Sequence, residues 1–217
     1  VNEGDVIRIQ EYPGGRRLRD IPHAIGYDSS FVVSPRGEQL ATTRFDGTIT
    51  VWNMRSGEPV TEITEGGPSG GFSWSADGQR VVCGCSDGNI RLWDAASGKV
   101  LDKFQCPGDI SFAALSPDGK TLAAVSGGSS VLLLDRSTGA VKRSLRTPVG
   151  KFKGMKFSPD SRKLATSNSD LEGSKQDNRV WNLAAEEEGS LDLIGVAGAT
   201  SYDFSPDSRQ ILVADST

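Results

Sequence analysis

Thiols, one imidazole and scattered carboxylates are what this sequence offers to chemistry. Cys83-Gly84-Cys85 has the spacing of a metal half-site, but a tetrahedral zinc ion needs two further ligands. The third cysteine, Cys106, and the single histidine, His23, lie in unrelated contexts. The cysteines are therefore expected to serve as small apolar strand residues, and no metal or other cofactor is expected. A lone histidine excludes a multi-histidine metal site, and neither a Gly-x-x-x-x-Gly-Lys loop nor a His-Glu-x-x-His pair occurs. Paired carboxylates could still act as acid and base. Yet Asp77, Asp118, Asp160 and Asp207 all recur in one turn motif, where a structural role suffices. No catalytic residue is expected.

Composition bounds the rest. The 217 residues are 36% hydrophobic and 24% charged, and 24 Lys plus Arg face 28 Asp plus Glu for a formal net charge of −4. That balance is globular, and a mildly acidic chain lacks the basic face that phosphate neutralisation requires, so nucleic acid is not an expected partner. No run approaches the roughly 18 apolar residues of a membrane helix, and no membrane partner is expected. An odd cysteine count without an Asn-x-Ser/Thr sequon points to a reducing compartment, and the expected location is the cytoplasm. Two charged runs are read as structural. Arg16-Arg17-Leu18-Arg19 falls on a predicted outermost strand, where cations guard an edge, and Glu186-Glu187-Glu188 reads as a solvated loop.

The elements that must position these groups repeat. Ser34-Pro35-Arg36-Gly37, Ser75-Ala76-Asp77-Gly78, Ser116-Pro117-Asp118-Gly119, Ser158-Pro159-Asp160-Ser161 and Ser205-Pro206-Asp207-Ser208 are copies of one turn, spaced by 41, 41, 42 and 47 residues. A second marker keeps step at Trp52, Trp93, Leu134 and Trp181, with Ile9 in the equivalent place near the start. Before each turn stands an alternating pair: Phe31/Val33, Phe72/Trp74, Ala113/Leu115, Met155/Phe157 and Tyr202/Phe204. Alternation at two-residue spacing buries one face of a strand. A second apolar run follows, then Asp46-Gly47 or Asp87-Gly88, the dipeptide of a tight hairpin. The third strand ends at the tryptophan marker, and Ser56-Gly57, Ser97-Gly98 or Thr138-Gly139 leads to a more polar fourth. Four short strands per period and no capped helical periodicity predict an all-β fold.

Ser-Ala-Asp-Gly followed by Ser86-Asp87-Gly88-Asn89-Ile90-Arg91-Leu92-Trp93-Asp94 resembles a repeat of the WD family, whose period is about 40–45 residues with four strands per propeller blade. The resemblance covers nearly the whole chain. It departs at the family's Gly-His, for which only His23 lies near the right place, and at Trp-Asp, which is intact only as Trp93-Asp94. Apolar packing, rather than a buried His–Asp network, is therefore expected to hold these blades. The resemblance implies a β-propeller of four-stranded antiparallel blades: complete blades at 23–63, 64–104, 105–145 and 146–194, and complementary half blades at 1–22 and 195–217. Rings of this kind span roughly four to eight blades. The chain starts within a repeat and on Val1, so the expectation is part of a larger propeller rather than a closed five-bladed ring.

The function implied is a non-catalytic scaffold that presents loop surfaces to partner proteins. The alternative is a ligand-binding or hydrolytic propeller whose site lies in blades or domains outside this chain. The last full blade carries a polar insertion, Asn168 to Asn178, between its second and third strands. By family analogy it lies on the face where partners bind, and loops on rigid scaffolds often carry function. The expected contact residues are Tyr27, Arg44, Asp170, Leu171, Glu172 and Lys175. Two packing expectations follow. Trp52, Trp93 and Trp181 should be mostly buried between blades, and Lys156 and Asp203, matched on neighbouring innermost strands, should form an ion pair.

Overall fold

The computed structural model describes residues 6–11, 13–22, 31–44, 46–64, 68–85, 87–128, 130–146, 151–169, 176–184, 190–192 and 201–214. Every regular element among them is a strand. A hairpin of β1 (Val6–Gln10) and β2 (Arg17–Pro22) comes first. Four antiparallel meanders follow. The first is β3–β6 (Phe31–Val33, Gln39–Thr43, Ile49–Asn53, Pro59–Ile63). The second is β7–β10 (Pro68–Trp74, Arg80–Cys85, Asn89–Asp94, Val100–Gln105) and the third β11–β14 (Ile110–Leu115, Thr121–Ser126, Ser130–Asp135, Val141–Arg146). The fourth is β15–β18 (Lys151–Phe157, Lys163–Ser169, Gln176–Asn182, Ser190–Asp192), and a hairpin of β19 (Ser201–Phe204) and β20 (Ile211–Ala214) ends the series.

The Ser-Pro-Asp-Gly turn between the first two strands of each meander is closed by its own side chains. Ser75 Oγ accepts the Arg80 amide at 3.0 Å and donates to Asp77 Oδ1 at 2.5 Å, while Asp77 accepts the Gln79 amide at 2.9 Å. The same bonds recur from Ser116, Ser158 and Ser205. The fourth turn residue is left-handed: φ is 69° at Gly78 and 71° at Gly119, but also 62° at Ser161 and 59° at Ser208. A non-glycine residue is strained there. Each serine has a compensating contact, because Ser161 Oγ accepts the Asp118 amide and Ser208 Oγ the Asp160 amide, both at 3.0 Å. The turns of consecutive meanders are thereby stitched together.

The turn between third and fourth strands explains why Trp-Asp tolerates change. Asp94 Oδ1 accepts the Ser97 amide at 2.8 Å, and Asn53 Oδ1 accepts the Ser56 amide at 2.9 Å. An acceptor is required, not a charge, and Asn182 likewise takes the Ala184 amide at 3.0 Å.

Apolar cores lie between sheets. Ala41, Ile49 and Val51 of the first meander pack on Phe72, Trp74, Val81, Cys83 and Trp93 of the second. Val82, Ile90 and Leu92 of the second meet Ala113, Leu115, Leu122 and Leu134 of the third. The third and fourth meet through Ala123, Val125, Met155, Phe157 and Trp181, and Ala165 and Val180 of the fourth cover Phe204. The two faces of a sheet thus serve two different cores, as the two-residue strand period permits. Neighbouring innermost strands also touch directly. β7 and β11 pair in parallel at Gly71 and Phe112, which merges two meanders into one eight-stranded sheet. Gly71 must lack a side chain, because a Cβ there would stand 2.3 Å from the Phe112 ring.

Two expectations need correction. Gln10, not Ile9, occupies the place of Trp52, because the β1–β2 register breaks at Gln10, which pairs with Arg17 just as Trp52 pairs with Pro59. A slip of one residue reverses the face of every side chain, so Ile7 and Ile9 match Ile49 and Val51. The tryptophans are mostly buried as expected, Trp93 and Trp181 at 0% and 3% exposure and Trp52 less completely. Finally, much of the insertion after Ser167 extends a hairpin: Asn168 pairs with Asp177 and Ser169 with Gln176.

Candidate functional site

Of the six expected contact residues, Tyr27, Asp170, Leu171, Glu172 and Lys175 lie outside the described residues. Arg44 is described. It begins the connection after β4, half-buried, with its amide donating to Thr48 O at 2.9 Å and its Nη2 to Glu62 Oε1 at 3.1 Å. The two residues it joins are 39% and 53% exposed, so a partner could reach both sides of this ion pair.

The equivalent connection of the second meander carries a charge pair that sequence reasoning missed. Asp87 receives both terminal nitrogens of Arg91, at 2.9 Å and 2.5 Å. The guanidinium is 5% exposed and the carboxylate 43%. Donation from Arg91 holds the Asp87 carboxyl far below the usual carboxylate range. The spacing of four residues is visible in the sequence, but nothing local to it shows that the two side chains meet.

Lys156 and Asp203 meet as expected, with Nζ 2.6 Å from Oδ1 and the side chains 49% and 58% exposed. Each stands between the two core residues of its innermost strand, so the pair bridges β15 and β19 away from the inter-sheet core. The basic run near the start is largely balanced: Arg16 bonds Glu11, and Arg8 and Arg17 bond Asp20. Glu186, Glu187 and Glu188 lie outside the described residues.

The repeated carboxylates are engaged in the hydrogen bonds of their own turns. Hydrogen bonds from serine hydroxyls and backbone amides hold Asp160 and Asp207 below the usual range, and the same donors outweigh burial at Asp77 and Asp118. One further motif, Gly67-Pro68-Ser69-Gly70-Gly71, has the lettering of a serine nucleophile elbow. That chemistry needs a sharp strand-to-helix turn, whereas Pro68–Trp74 is strand β7.

A comparison with curated proteins finds no match. Residues 38–114 match the family model described as the anaphase-promoting complex subunit 4 WD40 domain. The match begins at the second strand of the first meander and ends within the first strand of the third. It therefore spans the inter-sheet core around Trp93 and the parallel join of β7 and β11. Residues 38–114 are thus similar to a WD40 domain, and the turn motif within the match recurs on its C-terminal side.

Proposed function

We propose that this chain is a non-catalytic WD40-type propeller segment, whose exposed connections dock partner proteins within a larger assembly. WD40 domains generally mediate protein–protein contacts, and the matched family model is named for a subunit of a complex. The observation that carries the reading is the division of labour in the repeats. Apolar side chains are consumed between sheets and the repeated carboxylates inside turns, which leaves the connections, Arg44–Glu62 among them, as addressable surface. Three free, buried cysteines fit the reducing cytoplasm in which we place the protein.

The same reading takes the four meanders as full blades and the terminal hairpins as halves of a larger ring. Leu212 is 75% exposed, although its matches Ala41, Ala123 and Ala165 are 0% exposed. Phe31 and Val33 are 63% and 44% exposed, against 2% and 8% for their matches Phe72 and Trp74. In every internal interface these two kinds of position are covered by a neighbouring sheet. Further sheets of the same kind are proposed to cover them here.

Affinity capture with intact protein and with a variant combining Arg44→Glu, Asp170→Lys and Glu172→Lys tests the docking role. A stoichiometric protein partner that is lost with the variant supports it. A small molecule retained in native mass spectrometry, with no partner sensitive to the variant, overturns it.

A further inference from the structure

The Asp87–Arg91 turn sits over a pair of thiols. Cys83 and Cys85 lie two residues apart on β8, both 0% exposed, with their sulfur atoms 3.5 Å apart. Arg91 is the cross-strand neighbour of Cys83, and its Nε has no hydrogen-bond partner. A cation is thus held at the edge of an otherwise apolar core, beside two sulfurs.

The two thiols are unequal. Hydrogen bonding from Cys83, reinforced by the Arg91 guanidinium, holds the Cys85 thiol below its ordinary range, whereas burial pushes Cys83 well up. Cys106 has no such neighbours, and burial alone raises its thiol to about 11. A thiolate beside a guanidinium is the usual setting of a reactive cysteine. Gly84 between the two carries no side chain, and a Cβ there would stand 2.3 Å from Ile110 Cγ2. The tripeptide is therefore packed closely against β11.

We propose that Cys83 and Cys85 form a peroxide-reactive dithiol that closes to an intrastrand disulfide, with Cys85 attacking and Cys83 resolving. Cys85 sulfur attacks one oxygen of hydrogen peroxide, the O–O bond breaks, and the departing hydroxide takes a proton to leave as water. Cys85 is then a sulfenic acid. Cys83 sulfur attacks the sulfenic sulfur, the S–O bond breaks, and the Cys83 proton leaves with that hydroxide as a second water. The sulfurs give up two electrons and peroxide is reduced to two waters. The sulfur atoms need to close from 3.5 Å to about 2.05 Å. Access is short, because Cys85 is the last residue of β8 and its carbonyl accepts the Gly88 amide at 3.0 Å in the exposed turn. Local opening of one hairpin end admits a water-sized oxidant.

The test treats reduced, folded protein with hydrogen peroxide, blocks remaining thiols by alkylation, and reads intact mass and a tryptic map. The expected product has lost two hydrogens, carries one alkyl group, on Cys106, and holds its disulfide within the peptide Val81–Arg91. Thiol reductant should reverse it. Cys83→Ser should stop at a sulfenic acid on Cys85 that dimedone captures, and Arg91→Gln should slow oxidation about tenfold, with Arg91→Lys recovering part of the rate. Thermal melts establish that each variant is folded, and the native-protein arm needs no variant at all. Oxidation of Cys106 at the same rate as the pair, a disulfide formed only in denaturant, or an unchanged rate in folded Arg91→Gln would overturn the assignment.

Discussion

A comparison of matched positions shows how single residues answer one another across strands. Trp52 Nε1 donates to Thr42 Oγ1 at 2.9 Å and Trp181 Nε1 to Thr166 Oγ1 at 3.0 Å. In the third meander both matched positions are apolar, Leu134 for the tryptophan and Ala124 for the threonine. The second meander keeps the tryptophan but has Cys83 where the threonine would stand, and Trp93 Nε1 has no partner. A buried donor left unsatisfied costs about 1–3 kcal/mol. Cys83→Thr should therefore raise stability by about 1 kcal/mol, read as a higher midpoint in urea at constant slope. No gain, with Trp93 still unpaired in a crystal structure of the variant, would refute the pairing rule. Trp93 itself is 0% exposed in the core between two meanders, and Trp93→Ala should cost about 3–5 kcal/mol. A loss below about 1 kcal/mol in denaturant melts would mean that its assigned register is wrong. The Lys156–Asp203 pair is exposed on both sides, so a double-mutant cycle should return only about 0.2–1 kcal/mol, and a coupling of zero would mean the pair is absent in solution.

Individual elements depend on turns, and the turns depend on ionised carboxylates. Asp77, Asp118, Asp160 and Asp207 are each held below their ordinary range in the folded protein. An unfolded chain therefore binds more protons than the folded one as pH falls through the ordinary carboxylate range, and stability drops with it. The melting temperature should be level near neutrality and fall between about pH 5 and pH 2. Asp160→Asn should lower it at pH 7 and flatten the acid slope, since its amide oxygen can still accept the Arg162 amide that Asp160 accepts at 3.0 Å. A melting temperature unchanged from pH 7 to pH 3 would contradict this account. These turns were the part of the fold most legible in sequence, because Ser, Pro, Asp and Gly are each demanded by a particular bond or φ. Registers without such punctuation were less so. Ile9 was aligned with Trp52 because the apolar alternation of Val6–Ile9 fits either face, although Gly15, at φ 66° like Gly57 at 78°, marks the right frame. The parallel join at Gly71 and Phe112 was illegible because nothing local in a sequence reports how closely two innermost strands approach. The Arg91–Cys85 setting was hidden for the same reason, since its members meet only across two strands.

On the scale of the whole molecule, the decisive quantity is uncovered apolar area at the two ends of the stack. Each internal interface joins the forward face of one sheet to the backward face of the next, and the residues concerned are almost fully buried. At one end Phe31 and Val33 lack that cover, and at the other Leu212 does. The hairpins β1–β2 and β19–β20 are separate two-stranded sheets among the described residues, so Ile7 and Ile9 are not paired there with Ile211 and Val213. Contiguous exposed apolar patches seldom persist on soluble monomers, and stacked repeats need capped ends. The isolated chain is therefore expected to self-associate with rising concentration in sedimentation velocity, and Phe31→Glu combined with Leu212→Glu should return it to a monomer without lowering its melting temperature. Each single substitution should act in part, because a head-to-tail contact uses one face from each copy. A compact monomer in scattering, with slow amide exchange near Ile9 and Ile211, would instead mean that the two hairpins close one blade between them. Leu212 would then lie against Phe31 and Val33 of the same chain, and partner docking would belong to a complete five-bladed ring.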